Sequence, residues 1–234
     1  MSKPGFFRRL GKRLTQLVVG AMALSILFVL LFRWVDPPYS AVMLQRVLSE
    51  KQAQEQVWVP FDAIDPHLVL AVVAAEDQRF PDHWGFDTTQ IIAAVENHLE
   101  GQPLRGASTI TQQVARNLYL WQGRSYVRKG LELWFTLWLE LLWSKQRILE
   151  VYLNIAETGE QAFGFEVAAQ RVFGRPVSKL GPSRAALLAA TLPNPLRLRA
   201  DRPSDYLKQR QAWVLQQMQN LGGVIYLERL HARQ

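Results

Sequence analysis

Glu76 and Asp77 are adjacent carboxylates at the end of an apolar stretch, AVVAAEDQRF, followed by Pro81, His83, Gly85 and Asp87. Here the chain passes from a buried helix into a polar loop, which sets the carboxylates at a rim beside apolar surface. Such a setting raises a carboxylate's pKa and suits it to proton transfer. The alternative is a solvated helix end with ordinary acids, although negative charge is unfavourable at a helix C-terminus. On these residues alone both readings stay open. Residues 106–117 (GASTITQQVARN) carry Ser108, Thr109, Thr111, Gln112, Gln113 and Asn117. They form either a capped helix start or a donor-rich wall for a polyhydroxylated or phosphorylated ligand.

A third group is basic: Arg116, Arg124, Arg128 and Lys129, with Glu132 four residues after Arg128 and so on the same helical face. A surface ion pair there would contribute at most about 1 kcal/mol. The helix is otherwise strongly apolar (Leu131, Leu133, Trp134, Phe135, Leu137, Trp138), and four cations outnumber one carboxylate. That surplus favours an anionic ligand such as a phosphate. Other chemistries lose support. There is no cysteine for a disulfide, a thiol nucleophile or a thiolate metal site. His67, His83, His98 and His231 show none of the short spacings of a zinc site, so no metal ligands are assigned. No serine has a lysine three positions on, and no G-x-S-x-G, Walker A or dinucleotide fingerprint occurs.

The elements that must position these groups read as helices. Asp65-Pro66 is an N-cap with proline at the first helical position, opening a helix that delivers Glu76. Residues 145–156 (KQRILEVYLNIA) repeat apolar positions at helical spacing. Ser183 is expected to cap RAALLAATL, which Pro193 ends, and residues 206–221 are amphipathic up to Gly222-Gly223. Residues 40–56 read as a polar lead-in helix, and 57–60 as at most a short extended piece. The expected class is mainly α.

The net charge of +7 suggests nucleic acid until its location is considered. Lys3, Arg8, Arg9, Lys12, Arg13 and Arg33 flank an apolar run, and taking those six from 27 leaves 21 basic against 20 acidic residues in 36–234. A nucleic-acid partner is therefore not expected. The run, residues 14–32, is uncharged and close to the ~20 residues a bilayer requires. It is longer than a signal-peptide core, and Ala21 and Ala23 fall too early for cleavage, so an uncleaved anchor is the favoured reading over a signal peptide. The basic flank places the N-terminus in the cytoplasm and residues 36–234 outside.

Taken together the segments resemble the peptidoglycan glycosyltransferase domain of glycosyltransferase family 51, shared with class A penicillin-binding proteins. EDQRFPDHWGFD (76–87), GASTITQQVARN (106–117), RKGLE (128–132), KQRILEVYLN (145–154) and RAALLAATLPNP (184–195) match its five signatures in order. Arg116 departs from the usual lysine, keeping the charge with a forked geometry. With no Ser-x-x-Lys, and the chain ending soon after the fifth motif, no transpeptidase activity is expected. The match is to the monofunctional biosynthetic enzymes of Gram-negative bacteria.

The resemblance implies a lysozyme-like head with a small membrane-associated jaw. The expected division is a cytoplasmic N-terminus (1–13), a transmembrane helix (14–33), a linker or lead-in helix (36–56), the glycosyltransferase domain (57–222) and a tail (223–234). It implies transfer of an undecaprenyl-diphosphate-linked glycan to the GlcNAc 4-hydroxyl of lipid II, with inversion at MurNAc C1, at the periplasmic face of the inner membrane. Glu76 is then the general base, and Glu132 orients Arg128 and Lys129. Arg116, Arg124 and Lys129 hold the diphosphate, while Ser108, Gln112 and Gln113 position donor sugar and phosphate. No tightly bound cofactor is implied; a divalent cation (Mg or Mn) on the substrate diphosphate is chemically sensible. Partners are lipid II, the lipid-linked glycan, the membrane and other cell-wall synthesis proteins. The Trp-rich 131–143 helix is read as core, and the 118–127 loop (Leu118, Tyr119, Leu120, Trp121) as the segment touching lipid. A lytic, glycan-cleaving enzyme and an idle membrane scaffold are the rivals.

Overall fold

The computed structural model describes residues 4–99, 101, 108–123 and 125–231. Arg124, Gly106, Ala107, Lys3 and the last three residues of the expected tail therefore lie outside the described residues, as does the side chain of His98. The chain divides into two compact units, Met1–Pro37 and Pro38–Gln234.

The first unit contains one helix, α1 (Pro4–Leu31), whose Arg8–Leu31 portion includes an 18-residue stretch of mean hydropathy 2.4 and is long and apolar enough to cross a membrane. Two of the polar residues in its apolar run bond within the helix: Thr15 Oγ1 donates to the Gly11 carbonyl and Ser25 Oγ to that of Met22. Asp36-Pro37-Pro38 prevents continuation.

The second unit is mainly helical: α2 (Ala41–Glu50), α3 (Pro66–Glu76), α4 (Thr88–Leu99), α5 (Ile110–Tyr119), α6 (Tyr126–Leu142), α7 (Lys145–Ile155), α8 (Phe165–Phe173), α9 (Gly181–Thr191) and α10 (Asp205–Asn220). α3 is apolar on every side and correspondingly central, with every residue from Leu68 to Ala74 buried. It packs against α9 and α10, while α5 packs against α6 and α7. The end of α3 is thereby presented beside α5.

Three boundaries differ from the sequence expectation. The lead-in helix stops at Glu50, where Lys51 turns left-handed (φ 53°), and residues 55–56 are strand β1 instead. β1 (Glu55–Gln56) runs parallel to β3 (Ala162–Phe163), which pairs antiparallel with β2 (Glu157–Gly159), in the order β1-β3-β2. The Asn154 side chain extends this pairing, accepting from Val59 N at 2.8 Å and donating to Val59 O at 2.9 Å. Gly164 (φ +78°) follows β3, and a Cβ there would lie 2.8 Å from the Asn154 carbonyl oxygen.

Secondly, Ser183 does not cap α9, which begins at Gly181. The acceptor comes from Asp65, whose Oδ2 takes the N–H groups of Leu180 (3.0 Å) and Gly181 (2.8 Å) while Oδ1 caps α3 at His67 N (2.9 Å). Pro182 at the second position has no N–H to satisfy, so a cap from outside the segment suffices. Thirdly, the expected tail contains a 3-10 run, Gly223–Leu230, with Tyr226 and Leu230 buried and Tyr226 Oη donating to the Gln78 carbonyl at 2.6 Å.

Burial opposes ionisation of Asp65, but the N–H groups of Gly181 and His67 outweigh it and hold its pKa below the ordinary 3.8. Its stabilisation is thus present above pH 3.8 and lost as pH falls through the lower folded-state value. Asp65→Ala removes two helix caps and should destabilise by about 2–3 kcal/mol at neutral pH. Thermal unfolding of the pair should show the gap closing at acid pH.

Candidate active site

Glu76 is the last residue of α3 and its carboxylate meets α5, with Oε2 accepting from Gln113 Nε2 at 2.9 Å. Burial pushes its pKa up; the Gln113 hydrogen bond and the nearby charges of Arg210 and Arg116 pull down, and Asp77 pushes up again. The net is a carboxylate above its ordinary value, suited to accepting a proton near neutrality. Gln113, Arg116, Asn117, Tyr152, Glu157 and Pro195 line an adjoining cavity of about 150 Å³. A larger one, about 510 Å³, lies beyond Pro195 between the 158–162 segment and residues 195–201.

Asp77, next in sequence, is occupied. Its Oδ1 is 2.8 Å from His83 Nε2 and its Oδ2 accepts Ile110 N at 3.0 Å, so one carboxylate fixes both the following loop and the start of α5. Asp87 caps Gln90 N and pairs with Arg79 at 3.3 Å. Ligand-type atoms of Asp77, His83 and Asp87 lie within 4.8 Å of one another. Donors occupy both oxygens of Asp77 and Oδ1 of Asp87, while Asp87 Oδ2 is buried without a hydrogen-bond partner. The loop closes onto α6 at Gly85 (φ +74°), where a Cβ would lie 2.5 Å from Thr136 Cγ2. Thr109 Oγ1 donates to the Gly85 carbonyl at 2.7 Å. Behind it Lys145 Nζ reaches the His83 carbonyl and Glu140 Oε1, each at 2.7 Å, and Thr111 Oγ1 donates to the same carboxylate oxygen at 2.5 Å.

Of the other residues singled out by sequence, Ser108 is half-buried just ahead of α5. Gln112 is buried in a capping box, its Oε1 accepting Thr109 N at 3.3 Å while Thr109 Oγ1 accepts Gln112 N at 3.2 Å. It builds the helix start instead of facing the cavity. The T-x-x-Q spacing of Thr109 and Gln112 is itself the signal for that role. Glu132 is almost fully buried with both oxygens engaged, by Arg128 Nη1 at 2.9 Å and Lys129 Nζ at 2.5 Å. Lys129 remains half-exposed, and Arg128 is largely enclosed. Arg210 on α10 and Tyr152 on α7 went unnoticed in the sequence, both lying within ordinary amphipathic helices.

The exposure expected of the 118–127 segment holds only in part. Leu118 and Leu120 are buried, and Tyr119 stacks on Phe135 at 4.5 Å. Trp121 is exposed as expected. α6 instead exposes Tyr126, Val127, Leu131, Leu133, Leu137 and Leu141, with Trp134 and Trp138 half-buried, on the side opposite Glu132 and Glu140. Uniform hydrophobicity hid this division, since an apolar helix with one polar edge reads as core from composition.

Chemically the arrangement can take a proton at Glu76 and hold an anion at exposed cations, the equipment of a group-transfer enzyme. Known proteins identify the family. A family model described as Transglycosylase matches residues 42–219. A biosynthetic peptidoglycan transglycosylase of Stutzerimonas stutzeri (strain A1501) is 50% identical over 228 residues, covering 95% of this chain and 94% of the relative. Another, from Yersinia pseudotuberculosis serotype O:1b (strain IP 31758), is 50% identical over 218 residues, 90% of each chain. The chain belongs to the biosynthetic peptidoglycan transglycosylase family. It is a peptidoglycan glycosyltransferase.

The buried Lys145–Glu140 pair gives a test of how the site is held. Lys145→Met leaves Glu140 charged and uncompensated, and should destabilise by about 3–5 kcal/mol. The double variant with Glu140→Gln should recover part of that loss in thermal melts.

Proposed function

We propose that this enzyme polymerises lipid II into β-1,4 glycan strands, with Glu76 as general base. The carrying observation is the contrast between its two site glutamates. Glu76 is desolvated and accepts one neutral hydrogen bond, whereas both oxygens of Glu132 are held by cations. The first can accept a proton; the second orients charge. Glu76 removes the proton of the acceptor GlcNAc 4-hydroxyl, and that oxygen attacks C1 of the donor MurNAc with inversion. The reaction parallels that of an inverting glycosidase, with a sugar hydroxyl in place of water. Departure of undecaprenyl diphosphate is eased by Lys129, Arg116 and Arg124, with Arg128 braced by Glu132. Ser108 and Gln113 stand beside the donor.

The apolar face of α6 is the part of the jaw that enters the membrane, and it keeps the opposite, cationic edge beside the headgroups where the lipid diphosphate lies. α1 is an inner-membrane anchor, with its basic flank cytoplasmic and the catalytic unit periplasmic. A divalent cation on the diphosphate would assist as part of the substrate.

Two measurements bear on this reading. Full-length protein in detergent with fluorescent lipid II should give a ladder of muramidase-sensitive polymer, and Glu76→Gln should give none while remaining folded. The wild-type kcat/KM profile should fall on an acid limb above pH 4.5, the ordinary glutamate value. Fragments released from sacculi, with no polymer, would instead indicate a lytic enzyme. Separately, Lys129→Ala should weaken lipid-diphosphate donor affinity roughly tenfold, measured in the Glu76→Gln background; unchanged affinity removes Lys129 from the donor site.

A further inference from the structure

Gln113 is placed between two groups of opposite demands, the half-buried carboxylate of Glu76 and the buried phenol of Tyr152. An ionised Glu76 can only accept, so the Gln113 amide must turn its NH2 toward it, as the 2.9 Å contact to Nε2 records. That choice leaves the amide oxygen facing α7. The hydrogen bond reaching it comes from Tyr152 Oη, at 3.2 Å. Tyr152 is among the largest fully buried side chains of the domain, and it also lines the cavity beside Gln113 and Arg116.

We propose that Tyr152 is a positioning residue for the base: its hydroxyl donates to Gln113 Oε1 and so locks the amide with its NH2 toward Glu76. The inference rests on the assignment of Glu76 as the base. A tyrosine is suited to this task because its hydroxyl can donate or accept, and the carboxylate two links away decides which. Burial, reinforced by Glu76 and Asp77, pushes the Tyr152 phenol well above its ordinary value, so it keeps the proton it donates. Without the hydroxyl the amide loses its anchor and can rotate, bringing an oxygen against the carboxylate. Glu76 would then lose its one neutral hydrogen-bond donor, and its proton affinity would rise. The other charged groups acting on Glu76 are Asp77 beside it in the chain, Arg116 on α5 and Arg210 on α10. None of these is altered by changing Tyr152, so a shift in titration reports the relay itself.

The test uses the full-length enzyme in detergent with lipid II. Tyr152→Phe keeps the ring and should lower kcat about three- to tenfold with KM for lipid II unchanged, and move the acid limb of kcat up by about half to one unit. Gln113→Leu should move the limb in the same direction, and the double variant should be no worse than Gln113→Leu alone, as members of one chain are not additive. Incorporation of 3-fluorotyrosine at position 152, a better donor of nearly the same shape, should move the limb down. This arm also carries the test if Tyr152→Phe fails to fold. An unmoved acid limb in the folded variants, or additive losses in the double variant, overturns the proposal. If Glu76→Gln still polymerises, it is the assignment of the base that fails; if Glu76→Gln is inactive and the limb is unmoved, only the role of Tyr152 fails.

Discussion

A carboxylate removed from water must have its oxygens occupied or it will not stay ionised there, and this requirement organises the catalytic unit. Asp65 joins the starts of α3 and α9, Asp77 joins the loop after α3 to α5, and Glu140 joins α5, α6 and α7 through Thr111 and Lys145. Each is filled by donors from segments far apart in sequence. Hydrophobic burial supplies most of the driving force in such a domain, but it is non-directional. The filled carboxylates convert a collection of apolar helices into one register. Glu76 differs in kind: half-buried at the end of α3, it accepts one neutral donor, Gln113.

The sequence made the local features legible and the long-range ones obscure. Asp65-Pro66 announced the start of α3, apolar spacing announced α7 and α10, and the rim at the end of α3 marked Glu76. By contrast, β1 and β3 are two residues each and carry no period of their own. Their pairing is long-range, Glu55 and Gln56 meeting Ala162 and Phe163. The cap of α9 was assigned to the nearest serine, whereas the acceptor lies 115 residues away, a distance no local pattern spans. Gln112 and Gln113 are identical neighbours, yet about 100° apart on a helix. One closes the helix start and the other meets Glu76.

The engagement of Glu132 also shows what charge counting leaves out. The basic cluster did suggest an anion. Glu132 neutralises much of that cluster internally, holding Arg128 in an enclosed position and leaving Lys129 with an exposed flank. What remains available is a directed cationic edge smaller than the formal charge implies. An aimed charge discriminates among anions better than a loose excess of positive side chains, because its distance and direction are set before the ligand arrives.

The two-sided character of α6 makes that helix a ruler. Its charged edge and its leucine edge are carried by one rigid rod, so the vertical offset between them is fixed by rise and pitch alone, about 1.5 Å and 100° per residue. Exchanging one leucine for another large apolar residue leaves the offset untouched. Adding or deleting a single residue between Glu132 and Leu137 would swing the following leucines about a quarter-turn around the rod and misalign the two edges. Related chains should therefore vary freely in the identity of the apolar residues on α6 while its length stays invariant.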